Sequence, residues 1–206
     1  MDFSNVINEI SEFCKMNKPN FSGGGEITVK KLEKQFQQIF PQELKEYISS
    51  VLPENSFSLS SVGNDICIYG YNQLSILQEG YNYNPITNEP IEGWNPDWFL
   101  IGDQGGDPII VDLSVLDSNS NQCSVFQAIH GDEEWNFVQI SSSIPQFLLI
   151  VTYMHHSMIG FDIDEVIVDE KHKFTLIDEV ANWLFPRIKE CDPDFYSEWV
   201  EIFDNA

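Results

Sequence analysis

The sequence predicts an α+β domain with N-terminal helices, a central and mainly antiparallel sheet, and C-terminal helices. Three observations carry that expectation. Apolar residues recur at helical spacing as far as Val51, the period drops to two from Phe57, and helical spacing returns after Ser143. Helices bracketing a run of strands, instead of alternating with them, give segregated layers and an antiparallel sheet.

The elements follow in chain order. Phe3, Val6, Ile7, Ile10, Phe13 and Cys14 share one helical face across residues 3–16. NFSGGG (20–25) breaks the chain. Thr28 is placed to cap a second helix, KKLEKQFQQIF, with Leu32, Phe36 and Ile39 together. Pro41 suits the first turn of a third, PQELKEYISSV, which Pro53 ends. Phe57 and Leu59 begin a strand, DICIYGY holds the next, and Gly63-Asn64 is a turn signal between them. Residues 72–79 can form a short helix, and 80–97 is a long loop carrying Tyr81, Tyr83 and Trp94. Loops of that length inside compact domains are usually functional or disordered. WFLIG (98–102) and PIIVDLS (108–114) are almost continuously apolar, which places both strands centrally. Gly105-Gly106 between them supplies a tight turn. Residues 123–130 and 137–141 make further strands around a charged turn, GDEEW. Ser143 and Pro145 open a helix that is apolar nearly all round and therefore buried. Residues 161–168 alternate as an edge strand does, and two short helices close the chain, the first broken at Pro186. We expect residues 1–158 to form one domain with an N-terminal helical extension, and 159–206 to pack on it as a strand and helical extension.

Charge limits the partners. The chain carries 33 Asp and Glu against 10 Lys and Arg, a net charge of −23. From Glu46 to Glu170 there are nineteen acids and no Lys or Arg. Such a chain is repelled by nucleic acid and by anionic membranes. The acidity serves solubility, or it is a surface that meets a basic partner; charge alone leaves both open. Cys14, Cys67, Cys123 and Cys191 form no CxxC pair and fit reduced thiols of a cytoplasmic protein. The N-terminus has neither the basic nor the apolar segment of a secretion signal, and the apolar run 147–151 is too short to span a bilayer.

A search for chemistry returns little. GxSxG, P-loop, GxGxxG and HExxH patterns are absent. His155-His156 lie about 100° apart on a helix, which suits structural or helix-end roles better than shared metal ligation. Asp103 to Asp107, with Asp112 and Asp117 beyond, has only a superficial likeness to a calcium loop, because Gly105 takes a ligand position. Asp132, Glu133 and Glu134 read as a solvated turn, with a carboxylate pair for hydrolysis as the weaker reading. No catalytic residue, metal or cofactor is expected. Trp98, on an apolar strand, reads as core. Trp94, between Gly93 and Asn95-Pro96, is either exposed or core, and an exposed aromatic in an acidic rim is an effective interface anchor.

At WFLIGDQGGDPIIVDL (98–113) the chain resembles the SUKH superfamily, whose members carry two apolar strands around a Gly-Gly-Asp turn. FPQELKEYI (40–48), VFQAIHGDEEW (125–135) and SSSIPQFLLIV (141–151) resemble the family's pre-sheet helix, later strand and closing helix, so the likeness spans about 28–157. By that likeness Gly102, Gly105, Gly106 and Asp107 are fold-bearing. VLPENSFSL stands where relatives often have a glycine-rich segment, and 159–206 exceeds the core fold. The resemblance implies a binding module and not an enzyme. Many bacterial members are immunity proteins against polymorphic toxins, often nucleases, and a fungal branch regulates the cell wall. The expected function is neutralisation of a cognate basic toxin, with a general interaction scaffold as the alternative and a hydrolase or calcium-binding protein as a third reading. Expected partner-binding residues are Tyr81, Tyr83, Glu89, Glu92 and Trp94 in the loop, with Asp103, Asp132, Glu133 and Glu134 in the turns.

Overall fold

Asp2 opens the first helix, α1 (Phe3–Phe13), by accepting the Asn5 amide on its side chain. The computed structural model describes residues 2–14, 19–74, 78–115, 121–131, 134–170 and 173–206. The second helix, α2 (Gly25–Phe36), starts ahead of Thr28, so Thr28 is not its cap. Its hydroxyl instead donates back to the Gly24 carbonyl at 2.6 Å, a bond made inside the first turn. Pro41 sits at the N-cap of α3 (Gln42–Glu46), which runs on as a π-helical turn, Tyr47–Val51, burying Tyr47, Ile48 and Val51.

The main sheet contains β1 (Phe57–Leu59), β2 (Ile66–Ile68), β5 (Trp98–Gln104), β6 (Asp107–Asp112), β7 (Val125–Gln127) and β8 (Val138–Ser141). Its order is β1-β2-β5-β6-β7-β8, and every neighbouring pair is antiparallel. The two most apolar strands are thus central, as expected. Gly105 and Gly106 turn between them at φ 63 and 99. Gly102 is required for another reason: a Cβ there would lie 2.4 Å from the Cys67 carbonyl oxygen on β2. Gly102→Ala is expected to cost about 2 kcal/mol as the strands are forced apart. An unchanged midpoint in chemical denaturation would show that β2 yields freely.

Register sorts the sheet's side chains. Trp98, Leu100, Ile110, Asp112 and Phe126 share one face, while Phe99, Val111 and Val125 share the other. Phe99 meets Phe36 and Phe40 edge-on at 5.1 and 5.0 Å. The helix α4 (Ile144–Ile159) packs against β1, β8 and α1, and is buried along most of its length. Glu43 joins α3 to its start by accepting the Cys123 and Ile144 amides at 3.1 and 3.0 Å. Burial nonetheless pushes that carboxyl above its ordinary range, against the pull of those two amides.

His155 lies near the other end of α4. Its Nδ1 accepts the Ser60 amide at 2.8 Å, just beyond β1. Burial lowers its pKa, outweighing the nearby Asp65 charge. The folded state therefore binds this proton less readily than the unfolded chain does. The His155 contribution to stability is complete above the unfolded pKa of about 6.5 and is lost as pH falls below it. His155→Gln is expected to flatten that part of the stability–pH curve, measured by denaturation at pH 5 and pH 7.5.

Four expected elements differ. Residues 161–168 are not an edge strand of the main sheet. The strand is β9 (Ile167–Glu170), paired with β10 (Lys173–Leu176) in a separate two-stranded sheet. Pro186 does not break its helix: α5 (Asp178–Cys191) passes through it, because Val180, Ala181, Leu184 and Ile188 are buried along one side. The loop 80–97 holds a small hairpin, β3 (Tyr83–Asn84) with β4 (Glu89–Pro90). Of the short helix expected at 72–79, residues 72–74 and 78 are turns, and 75–77 lie outside the described residues.

A turn of 3-10 helix (Pro193–Phe195) and α6 (Tyr196–Val200) follow α5, which packs on α4. Asp192, only 1 % exposed, accepts the Ser141 hydroxyl (2.7 Å), the Ser142 amide (2.8 Å) and the Ser142 hydroxyl (2.7 Å). Trp199 Nε1 donates to the Ile140 carbonyl on the outer strand β8 at 2.8 Å. All four cysteines are free thiols, and burial pushes Cys123 and Cys191 up to about 12, which keeps them unreactive. No helix among the described residues is long and apolar enough to cross a membrane.

Candidate protein-interaction face

An aromatic cluster lies on the Trp98 face of the sheet. Trp94, delivered by the long loop, stands at its centre. Its ring centroid is 5.5 Å from Tyr81, 5.4 Å from Trp98, 5.6 Å from Trp135 and 6.1 Å from Phe137. Trp98 and Phe137 meet at 4.6 Å. All five rings are half-buried, and the fully buried Leu100 and Ile110 share the sheet face of Trp98. Rings at these separations and tilts attract one another beyond their area burial. Gly93, with φ 87, turns the chain so that Trp94 enters the cluster.

Carboxylates stand beside the rings, held by groups other than Lys and Arg. Asp103 accepts the Tyr69 hydroxyl at 2.7 Å and the Gly106 amide at 3.0 Å. Asp112 accepts Trp98 Nε1 at 3.1 Å and both the Ser114 amide and hydroxyl. Asp97 accepts the Gln38 side-chain amide. Asp107 accepts the His130 amide and faces His130 Nδ1 at 2.6 Å. Among the described residues the one ion pair involving Lys or Arg is Lys45–Glu33, outside this face. Burial first, then the Asp103 charge, pushes the Tyr81 hydroxyl upward, and it donates to the Gly106 carbonyl at 3.1 Å. Tyr81 is thereby fixed between loop and turn in its neutral form.

The expected site residues divide into three sets. Tyr81, Trp94 and Asp103 come together with the cluster. Tyr83, Glu89 and Glu92 lie around the small hairpin, where the Tyr83 hydroxyl donates to Glu79 at 2.6 Å and Glu89 and Glu92 are exposed. Glu134 is exposed beside Trp135, while Asp132 and Glu133 lie outside the described residues. Trp98 is not core. Its backbone belongs to a buried strand, but its ring is half-buried among Trp94 from the loop and Phe137 from the segment before β8. Trp135 and Phe137 join the cluster without having been expected there. The available signal was their spacing of two beside an acidic turn.

The arrangement offers apolar anchors and fixed negative charge, and no group of His, Cys, Asp and Glu among the described residues could hold a metal ion. Of the acids in the calcium-loop reading, Asp103 and Asp107 are engaged by the turn's own amide and by His130, Asp112 by Trp98 and Ser114, and Asp117 lies outside the described residues.

A family model described as the SMI1 / KNR4 family (SUKH-1) matches residues 25–150. The match runs from α2 into α4 and takes in the whole six-stranded sheet and the aromatic face. No curated protein matches the chain.

Proposed function

This chain belongs to the SMI1 / KNR4 family (SUKH-1), and from that membership we propose that it is an immunity protein. It binds a cognate basic toxin, a nuclease being the class whose active face must be cationic, and covers that face with its own acidic one. It acts stoichiometrically in the cytoplasm, with a protein as partner, and turns over no substrate. The observation that carries this reading is the half-buried aromatic cluster with carboxylates beside it, within a stretch that contains no Lys or Arg. Trp94, Trp98 and Trp135 serve as anchors. Tyr81, Asp103, Asp112 and Glu134 stand beside these anchors, Tyr83, Glu89 and Glu92 on the small hairpin extend the contact, and Asp132 and Glu133, which lie outside the described residues, belong to the proposal by sequence alone.

Fixed surface charge acts chiefly on the rate of encounter, and aromatic anchors on the rate of release. The test is to co-express the chain with the toxin-like product of the neighbouring gene and to measure association of the purified pair. An equimolar complex is expected, with an association rate falling at least about tenfold between low salt and 0.5 M, where the screening length drops to a few ångströms. A complex whose association ignores salt would favour the general scaffold. The lack of any complex with a basic partner would remove the toxin reading.

A further inference from the structure

Beside the cluster, on the sheet face, lies an open groove of about 660 Å³ lined in part by Trp98, Asp112, Phe126, Trp135 and Phe137. That volume falls in the range of small-ligand sites, roughly 300–1,000 Å³. Four of its lining residues are aromatic, Ser124, Asn136 and Gln139 add uncharged polar side chains, and Asp112 supplies the carboxylate. We propose that this groove receives an arginine side chain of the partner, its guanidinium stacked on the indole and phenyl rings and hydrogen-bonded to Asp112. The assignment rests on the reading of the chain as the acidic binder of a basic protein, and it names one contact within that interface.

Three features point to arginine. The donors to Asp112 among the described residues, Trp98 Nε1–H, Ser114 N–H and Ser114 O–H, are all uncharged, so its negative charge has no cationic partner there. They also orient it, since the Trp98 indole that forms a wall holds the carboxylate at the same time. A planar, weakly hydrated guanidinium stacks on aromatic faces and forks onto a carboxylate, whereas an ammonium is a compact, strongly hydrated charge. The chain uses the stacking part of this geometry internally: the Arg187 guanidinium lies 4.3 Å from the Trp183 ring centroid and donates to the Trp183 backbone carbonyl at 2.8 Å. Val138, which also lines the groove, is 55 % exposed and offers apolar surface to the methylene stem of an incoming arginine.

The test is a titration of the ¹⁵N-labelled full chain with Nα-acetyl-arginine N-methylamide, following the indole N–H signals of the five tryptophans. The uncharged citrulline analogue and the lysine analogue serve as comparators. Saturable shifts at Trp98 and Trp135 are expected, with arginine binding at least about fivefold tighter than either comparator. Asp112→Asn and Trp135→Ala should each weaken binding at least about fivefold, and Trp135→Phe should restore most of it. Absent or non-saturating indole shifts, equal binding of citrulline, or a folded Asp112→Asn chain that binds normally would overturn the proposal. If Asp112→Asn fails to fold, the Trp135 pair decides in its place. The broader reading fails separately. A toxin complex untouched by Trp135→Ala rejects the groove and keeps the immunity function, whereas saturable arginine binding with no basic partner keeps the groove and rejects that function.

Discussion

Asp192→Ala is expected to destabilise the fold by about 3 kcal/mol or more, the largest effect of any single change considered. The carboxylate is buried and collects three donors from Ser141 and Ser142 at the entry to α4. Removing it leaves two hydroxyls and an amide without their acceptor, each carrying a desolvation penalty of about 1–3 kcal/mol that water entering the gap partly offsets. It also takes negative charge away from the N-terminus of a helix of 16 residues, where the backbone dipoles favour an anion. Asp192→Asn keeps one acceptor oxygen and should lie between the two. Urea denaturation read by far-UV circular dichroism and tryptophan fluorescence checks this. A loss below about 1 kcal/mol would mean that the serines find other partners. One shared transition for both probes is expected, since the bonds run directly from the C-terminal segment to the outer strand and α4.

Trp94→Ala is expected to act on both stability and binding. The ring touches four other aromatic rings and is half-buried, so its loss should reduce the unfolding free energy by about 2–3 kcal/mol, below the range for a fully buried aromatic. If it anchors the partner, affinity should fall by a further ~2 kcal/mol, roughly thirtyfold, appearing mainly as faster dissociation. The two effects separate experimentally. Trp94→Phe should recover most of the stability, and its dissociation rate then reports the contact alone. Unchanged dissociation of the Phe and Ala variants would place Trp94 inside the fold and outside the interface.

The parts of the fold legible in the sequence are those where one local rule acts alone. The strands around Gly105-Gly106 combine continuous apolarity with a turn that needs positive φ, and both signals survive folding unchanged. α4 has a Ser cap, an early proline and an apolar surface nearly all round. The failures occur where tertiary contact outweighs a local rule. Proline inside a helix carries a penalty of about 3 kcal/mol in isolation, yet the buried side of α5 outweighs it at Pro186. Thr28 satisfies the preference for a cap, but its hydroxyl bonds to Gly24 inside the turn. Of the face, Trp94 and Tyr81 were legible because a polar loop has little use for large aromatics except at a contact. Trp98 was not, since an apolar strand flanked by apolar neighbours does not disclose which of its two faces a helix covers. Trp135 and Phe137 precede β8 and meet Trp94, which precedes β5, across a sheet order that puts those two strands three apart, a relation no local pattern discloses.

The indole hydrogen bond from Trp199 to Ile140 has a consequence for the open margin of the sheet. β8 is an outer strand, and outer strands offer free backbone groups to any chain that can pair with them. Here the protective group comes from α6, a helix of five residues near the end of the chain. Brief detachment of that short helix frees the Ile140 carbonyl while the strand pairings stay in place, so the margin is bared by a small local opening well before global unfolding.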